Sequence, residues 1–115
     1  MEKKEEVVKT INNVIDSEKI IEVINEIVDA KVIYIFGSYA KGQQRNDSDI
    51  DIYIVVNSLN GRVIEILSQI RVALMHIVDK PMDILLSTTE MFEERKTFKS
   101  SIERVINKEG VAIYG

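Results

Sequence analysis

The sequence predicts a small α/β (α+β) fold, in which a mixed sheet of about four strands has helices packed on one face. Three observations support this prediction. Short β-branched runs alternate with longer segments of helical periodicity. The chain has 115 residues, 45% of them hydrophobic, which is enough for one core. It contains neither repeats nor linkers, so residues 1–115 are predicted to form a single domain.

Two helices are predicted before the first strand. Apolar residues recur at helical spacing over residues 3–15 and again over residues 17–29. Asp16 separates the two runs and is a residue type that caps helix N-termini. Residues 31–36 (KVIYIF) are β-branched and aromatic and are followed by a glycine, which predicts a buried strand.

The middle of the chain is predicted to form a loop, a strand and a helix. Residues 37–48 are polar and contain two glycines, so they favour a loop with room for one helical turn. Residues 49–56 (DIDIYIVV) follow as a strand. Its period of two places Asp49 and Asp51 on one face and a row of isoleucines on the other. A third helix is expected over residues 63–79.

The last third of the chain predicts a strand, one helix and a final strand. Residues 82–86 follow a proline and read as a strand. Ser87, with a glutamate three positions later, fits a capping box that opens a single charged helix as far as about Asn107. A glycine ends this helix, and residues 111–114 predict the last strand.

Composition excludes several classes of function. The formal net charge is −4, which disfavours an extended nucleic-acid surface. The absence of cysteine removes disulfides, thiolate metal sites and cysteine nucleophiles. The first ten residues are too charged for a signal peptide, and no apolar run approaches the roughly 18 residues of a membrane helix. We therefore expect a cytoplasmic protein without membrane association.

Three aspartates on predicted strands indicate a metal site. Asp49 and Asp51 lie two positions apart in the most strand-like segment, although aspartate is disfavoured in strand interiors. Two carboxylates on one face repel each other unless a cation lies between them, and hard oxygen ligands favour Mg²⁺ or Mn²⁺. Asp83 also points away from the apolar row of its strand. If the two strands are neighbours, the three carboxylates converge as two-metal phosphoryl transfer requires.

The loop before these aspartates indicates phosphate binding. Gly37 allows a close backbone approach to a phosphate, Ser38 adds a hydroxyl donor, and Gly42 lets the chain turn back. Backbone amides that precede a helical turn form an anion site. Lys41 and Arg45 are the only cations of the loop and are placed to meet a phosphate tail.

The joint pattern resembles a known family signature. Gly-Ser-x-x-x-Gly beginning at Gly37, then Ser-Asp-x-Asp ending at Asp51, with the later carboxylate of Asp83, resembles the DNA polymerase beta-like nucleotidyltransferase superfamily. The short length is similar to that of minimal nucleotidyltransferases of the MntA-like antitoxin type. These are often found beside a HEPN-domain partner in toxin–antitoxin pairs. Residues 108–111 also resemble the family, so the resemblance covers most of the chain.

The resemblance implies a polymerase beta-like fold and transfer of a nucleoside monophosphate, AMP from ATP in the favoured case, to an acceptor hydroxyl with release of pyrophosphate. It implies two Mg²⁺ or Mn²⁺ ions with the NTP bound, a HEPN-type protein partner as acceptor, and a homodimer as a further possibility. Asp83 would also assist deprotonation of the acceptor. Lys41 stands where many members carry Arg. The implied catalytic and metal-binding residues are Asp49, Asp51 and Asp83, and the implied substrate-binding residues are Gly37, Ser38, Lys41, Gly42, Arg45 and Ser48.

Alternative roles stay open for single residues and for the whole chain. Ser48 fits a loop cap as well as a substrate contact, and Arg45 fits surface charge as well as a phosphate contact. Tyr53 is predicted to be a packing residue, but it shares the aspartate face and Tyr39 lies in the loop, so either ring could instead border the nucleotide. The chain could instead be a non-catalytic, nucleotide-binding antitoxin or regulatory subunit, or a metal-dependent phosphodiesterase. The base, the acceptor and the oligomeric state are left open by the sequence.

Overall fold

The computed structural model describes residues 2–115, and the side chains from Glu5 onward. Its elements in chain order are α1 (Glu2–Val14), α2 (Ser17–Ile27), β1 (Ala30–Phe36), α3 (Ser38–Lys41), β2 (Ile50–Val56), α4 (Val63–Met75), β3 (Met82–Thr88), α5 (Thr89–Arg95), α6 (Ile102–Glu109) and β4 (Val111–Tyr114).

The four strands form one mixed sheet in the order β3-β2-β1-β4. β1 is antiparallel to both β2 and β4, whereas β3 runs parallel to β2. The predicted α/β fold with a four-stranded mixed sheet is therefore confirmed. β2 lies inside the sheet, and five of its seven residues, 52–56, form an unbroken buried run, as expected of a strand covered on both faces.

The larger part of the core lies between one face of the sheet and the helices α1, α2 and α4. Alternate isoleucines of β1 and β2, including Ile33, Ile35, Ile52 and Ile54, are fully buried there. Each contributes about 1.5–3 kcal/mol by leaving water. Asp16 caps α2 as predicted, since its carboxylate accepts a hydrogen bond from the backbone N–H of the third residue of that helix.

The opposite face of the sheet is covered by the two short helices α5 and α6, so the helices are not confined to one face as predicted. Tyr53, Val55, Phe92 and Ile106 form a smaller buried cluster on this face. The ring of Phe92 lies edge-on to that of Tyr53, with centroids 5.5 Å apart. This cover leaves the aspartate end of the same face partly open, because Asp83 is exposed and Asp51 only half-buried.

The prediction of one charged helix from Ser87 to about Asn107 is wrong. β3 continues to Thr88, which caps α5 by accepting a hydrogen bond from the N–H of Met91 at 3.2 Å. Ser87 is therefore a strand residue and only 2% exposed. The predicted third helix also ends earlier than expected, at Met75.

Residues 96–101, between α5 and α6, form turns and a bend instead of a continuous helix. The hydroxyl of Ser101 donates a hydrogen bond to the carbonyl of Arg95 at 2.6 Å and accepts one from the N–H of Arg104 at 3.1 Å. These side-chain bonds compete with a continuous helix, which explains the break. Within residues 2–115, no helix has both the length and the apolar character needed to cross a membrane.

Candidate active site

Two of the three predicted carboxylates lie side by side. Asp51 of β2 is the register partner of Asp83 of β3, on neighbouring parallel strands about 4.8 Å apart. The N–H of Ile50 donates to the carbonyl of Pro81 at 2.9 Å and fixes this register where the two strands begin. A parallel pair in register directs both aspartates to the same face of the sheet.

Asp49 joins this pair through its charge. It directly precedes β2 and is exposed to solvent. Partial burial raises the pKa of Asp51, and the negative charges of Asp83 and Asp49 raise that pKa further. The carboxylates of Asp83 and Asp49 are therefore close enough to that of Asp51 to act on it electrostatically.

The carboxylate oxygens of the three aspartates are ligands of the type that a hard divalent cation prefers. Among the residues the structure describes, no group of three or more His, Asp or Glu side chains is already arranged as a metal site. The carboxylates of Asp49, Asp51 and Asp83 are nevertheless oxygen donors whose mutual repulsion a cation would remove. A bound ion would have to draw the exposed carboxylates of Asp49 and Asp83 towards that of Asp51. The metal-binding roles of these residues stay predictions.

Gly37 connects the carboxylates to the predicted phosphate loop. Its backbone has φ +73° and ψ −145°, a conformation almost restricted to glycine. A Cβ atom at this position would collide with Oδ2 of Asp51. Gly37 follows Phe36, the register partner of Asp51 in β1, which explains why the two residues meet. The glycine therefore makes room for a carboxylate, whereas the sequence alone indicated room for a phosphate.

The expected helical turn of the loop is α3. It begins at Ser38 directly after Gly37, and Gly42 ends it in the left-handed conformation with φ +69°. Amides of the first turn of a helix have no carbonyl partner within that helix, so they are available to an anion. Ser38 is half-buried at this end. The geometry is compatible with the predicted contact of Ser38 and Gly37 to phosphate oxygens.

The remaining loop residues have different surroundings. Lys41 is exposed, with its Nζ 3.9 Å from Oε2 of Glu109 at the end of α6. Arg45 is also exposed. The hydroxyl of Ser48 accepts a hydrogen bond from the N–H of Arg45 at 2.7 Å, and the N–H of Ser48 donates to the carbonyl of Arg45 at 3.0 Å. Ser48 therefore closes a turn, in agreement with its predicted role as a loop cap, and its contact to substrate stays a prediction.

A cavity of about 350 Å³ opens beside the loop, between the end of β1, α3 and α6. Its volume lies within the range of roughly 300–1,000 Å³ usual for small-molecule sites. Gly37 and Lys41 lie on its loop side, and Glu109 lies on its α6 side. Its apolar lining comes from Phe36, Ala40, Ile102 and Val105.

The two tyrosines expected near the nucleotide are not at the surface. Tyr39 is 3% exposed and packs in the larger core, and Tyr53 is 1% exposed beneath α5 and α6. Burial agrees with the packing role predicted for Tyr53 and disfavours the alternative that either ring borders a nucleotide. Burial raises the pKa of Tyr53 to about 12, so its hydroxyl stays protonated near neutral pH.

A lysine and a glutamate near the site were not predicted from the sequence. The Nζ of Lys80 donates a hydrogen bond to the carbonyl of Asn46 at 2.9 Å and ties the loop to the chain that enters β3. Oε2 of Glu103 lies 2.7 Å from the hydroxyl of Tyr53. For Lys80, the only local feature that could have indicated a place near the site is its position directly before the Pro-Met-Asp segment. Nothing in the sequence distinguishes Glu103 from a solvated residue of a charged helix.

The sequence matches a family model over most of its length. The model described as "Polymerase beta, Nucleotidyltransferase" matches residues 18–114. Among curated proteins, none matches the sequence significantly.

Solved structures share the fold. A toxin–antitoxin with AMP-PNP is 24% identical, with 87% of this chain and 73% of that chain covered and a TM-score of 0.54. A proposed nucleotidyltransferase from Sulfolobus solfataricus is 18% identical, with 92% and 84% covered and a TM-score of 0.60. A mutant of the toxin–antitoxin MntA–HpeT is 21% identical, with 87% and 73% covered and a TM-score of 0.55.

Proposed function

Because the chain belongs to the polymerase beta nucleotidyltransferase family, and is therefore a nucleotidyltransferase, we propose that it transfers AMP from ATP to a hydroxyl group of a protein partner. The observation that carries the proposal is the pairing of Asp51 with Asp83 directly beside Gly37. This arrangement puts a carboxylate pair next to the first turn of α3, whose amides have no carbonyl partner within that helix and can bind phosphate.

The proposed roles follow from the position of each side chain. Asp49, Asp51 and Asp83 would hold Mg²⁺ or Mn²⁺, two ions with the nucleotide bound, and these ions would supply charge stabilisation at the reacting phosphoryl group. The amides after Gly37 and the hydroxyl of Ser38 would hold the β- and γ-phosphates. The α-phosphorus is then left facing the carboxylates.

The acceptor is expected to approach from the β3 side. β3 is an edge strand, and Asp83 is exposed there. The acceptor oxygen forms a bond to the α-phosphorus, the bond from the α-phosphorus to the bridging oxygen breaks, and pyrophosphate leaves. Asp83 accepts or orients the proton of the acceptor hydroxyl. The cavity beside Gly37 and Lys41 gives the nucleotide room on the other side of the carboxylates.

Three observations support a protein acceptor, and the HEPN type of that partner is proposed from the family resemblance. Two of the solved structures with this fold are toxin–antitoxins, and one of them contains AMP-PNP, an analogue of ATP. The net charge of −4 disfavours a long nucleic acid as acceptor. The site is open on the β3 side, so a partner could complete it. In this proposal the chain is the antitoxin of a cytoplasmic pair, and a homodimer is a further possible assembly.

The test is a transfer assay with α-phosphate-labelled ATP, Mg²⁺ and a lysate of the source cells. We expect a labelled protein band with the wild type and a loss of about a hundredfold or more with Asp49→Asn/Asp51→Asn, as when a preorganised charged group is removed. Asp47→Asn is the matched control, because Asp47 is an exposed aspartate of the same loop. Label on RNA instead of protein would show that the acceptor is RNA and would contradict the proposed protein acceptor. ATP binding without transfer would overturn catalysis and favour a non-catalytic regulatory subunit.

A further inference from the structure

A buried polar cluster lies beneath α6 on the same sheet face as the carboxylates. The hydroxyl of Tyr53 is 2.7 Å from Oε2 of Glu103 and 2.8 Å from Oγ of Ser87. Glu103 and Ser87 are only 6% and 2% exposed. Tyr53 follows Asp51 by two positions in β2, and Ser87 follows Asp83 by four in β3. The cluster therefore joins α6 to both strands that carry the carboxylates.

Burial of the Glu103 carboxylate is energetically unfavourable. A buried carboxylate loses its hydration, and the guanidinium of Arg95 compensates only from 3.9 Å and from a partly exposed position. An apolar side chain of similar length would fill the same space beside Tyr53 without that loss of hydration. Stability alone therefore does not explain a glutamate at this position.

The position of α6 matters to the cavity beside the phosphate loop. Ile102, Val105 and Glu109 of α6 line that cavity opposite Gly37 and Lys41. The helix has only eight residues, and Ile106 is its one fully buried apolar side chain, whereas Ile102 and Val105 are 42% and 47% exposed. A directional hydrogen bond from Tyr53 of the sheet to Glu103 can fix the position of α6 along the cavity, whereas apolar packing alone permits the helix to slide over the sheet.

We infer that Glu103 is a positioning residue, which fixes α6 against β2 and β3 through Tyr53 and Ser87 and thereby sets the affinity of the cavity for nucleotide. The inference rests on the proposed function, since it requires that nucleotide occupies this cavity. Glu103 itself is placed to touch neither substrate nor metal. Its effect is on the binding of nucleotide and, through binding, on KM.

The test measures binding of a fluorescent ATP analogue in Mg²⁺, together with the melting temperature of each variant. We expect Glu103→Met to fold with a similar melting temperature and to bind about tenfold more weakly, the lower end of losses for outer hydrogen-bonding partners. Glu103→Gln keeps an oxygen acceptor for Tyr53 and should bind within about twofold of the wild type. In the transfer assay, Glu103→Met should raise KM for ATP far more than it lowers kcat.

Two further variants separate positioning from general damage. Tyr53→Phe removes only the hydroxyl and should weaken binding as Glu103→Met does, even if the methionine variant folds poorly. Glu94→Met alters an exposed glutamate of α5 and should bind as the wild type does. If Glu103→Met and Tyr53→Phe both bind the nucleotide as tightly as the wild type does, the inference is overturned and the proposed function is not. The same holds if Glu103→Gln binds as weakly as Glu103→Met. No binding by the wild type would overturn the proposed function and the inference with it.

Discussion

On one face of the sheet, β1 and β2 present isoleucines that are fully buried beneath α1, α2 and α4. On the other face, β2 presents Asp51 at its beginning and Tyr53 two residues later. The same strand therefore serves two purposes, because alternate side chains point to opposite faces. The sheet therefore separates the buried isoleucines on one face from the mutually repelling carboxylates on the other.

The two faces also differ in how completely they are covered. Three helices of 11 to 13 residues cover the isoleucine face, whereas α5 and α6 have seven and eight residues. The thin cover leaves the aspartate end open to a nucleotide and an acceptor. The isoleucine face should therefore tolerate polar or truncated side chains poorly, and the aspartate face should lose function before it loses stability.

The largest expected effect is on the isoleucine face. Ile52→Ala removes a side chain that is 0% exposed at the centre of β2 and should lower the free energy of unfolding by about 2–5 kcal/mol. Urea unfolding followed by circular dichroism measures this change. Ile64→Ala is the control, because Ile64 is 75% exposed and should change the free energy by less than about 0.5 kcal/mol. Equal losses in the two variants would show that the isoleucine face is not the main core.

A smaller effect is expected where the two strands meet the loop. Gly37→Ala adds a Cβ that collides with Asp51 in a backbone conformation disfavoured for alanine, and should cost about 1–3 kcal/mol of unfolding free energy. Gly42→Ala also has positive φ but meets no atom within 4 Å, so its cost should stay near about 1 kcal/mol. Thermal unfolding of both variants checks the difference. A Gly42 variant less stable than the Gly37 variant would contradict the proposed contact with Asp51.

The smallest effect on stability is expected from removing a carboxylate, and unlike the two substitutions above it should increase stability. Because the folded pKa of Asp51 is raised above its unfolded value, the protein loses stability as pH rises through that folded pKa. Asp51→Asn should therefore raise the melting temperature by a few degrees at pH 7 in EDTA. The gain should vanish below the unfolded pKa of aspartate, about 3.9.

The control for this prediction is Asp47→Asn, which changes the same charge at an exposed loop position. Its melting temperature should stay close to that of the wild type under the same conditions. Added Mg²⁺ should stabilise the wild type more than Asp51→Asn, because the ion removes the repulsion that the substitution has already removed. A lower melting temperature for Asp51→Asn in EDTA would contradict the raised pKa of Asp51, to which burial contributes most and the neighbouring carboxylates add.

Much of this arrangement could be predicted from local patterns. The period of two in residues 49–56 placed the aspartates opposite the isoleucines, and the two loop glycines predicted a turn with one helical segment. Convergence of Asp51 with Asp83 was expected as well, on the condition that their strands are neighbours, whereas the parallel direction and register of the two strands were not predicted. The strand period and the loop turn depend on residues close in sequence, so a single sequence carries them.

The features that could not be predicted depend on distant contacts. Glu103 is buried because Tyr53, 50 positions earlier, supplies a hydroxyl beneath it. The break between α5 and α6 depends on hydrogen bonds of Ser101 that compete with a regular helix, and the local composition permits either outcome. Tyr39 lies in a polar loop segment but turns into the core, since one helical turn of α3 directs its ring inward.

The most direct test of the aspartate face is transfer of labelled AMP by Asp83→Asn. Asp83 lies on β3, whereas Asp51 lies on β2 and Asp49 directly before it, so the contribution of Asp83 depends on the pairing of β2 with β3. We predict that transfer falls about a hundredfold or more while the melting temperature is retained. Asp79→Asn, at an exposed aspartate just before the same strand, should transfer as the wild type does. Undiminished transfer by Asp83→Asn would contradict a site built across β2 and β3.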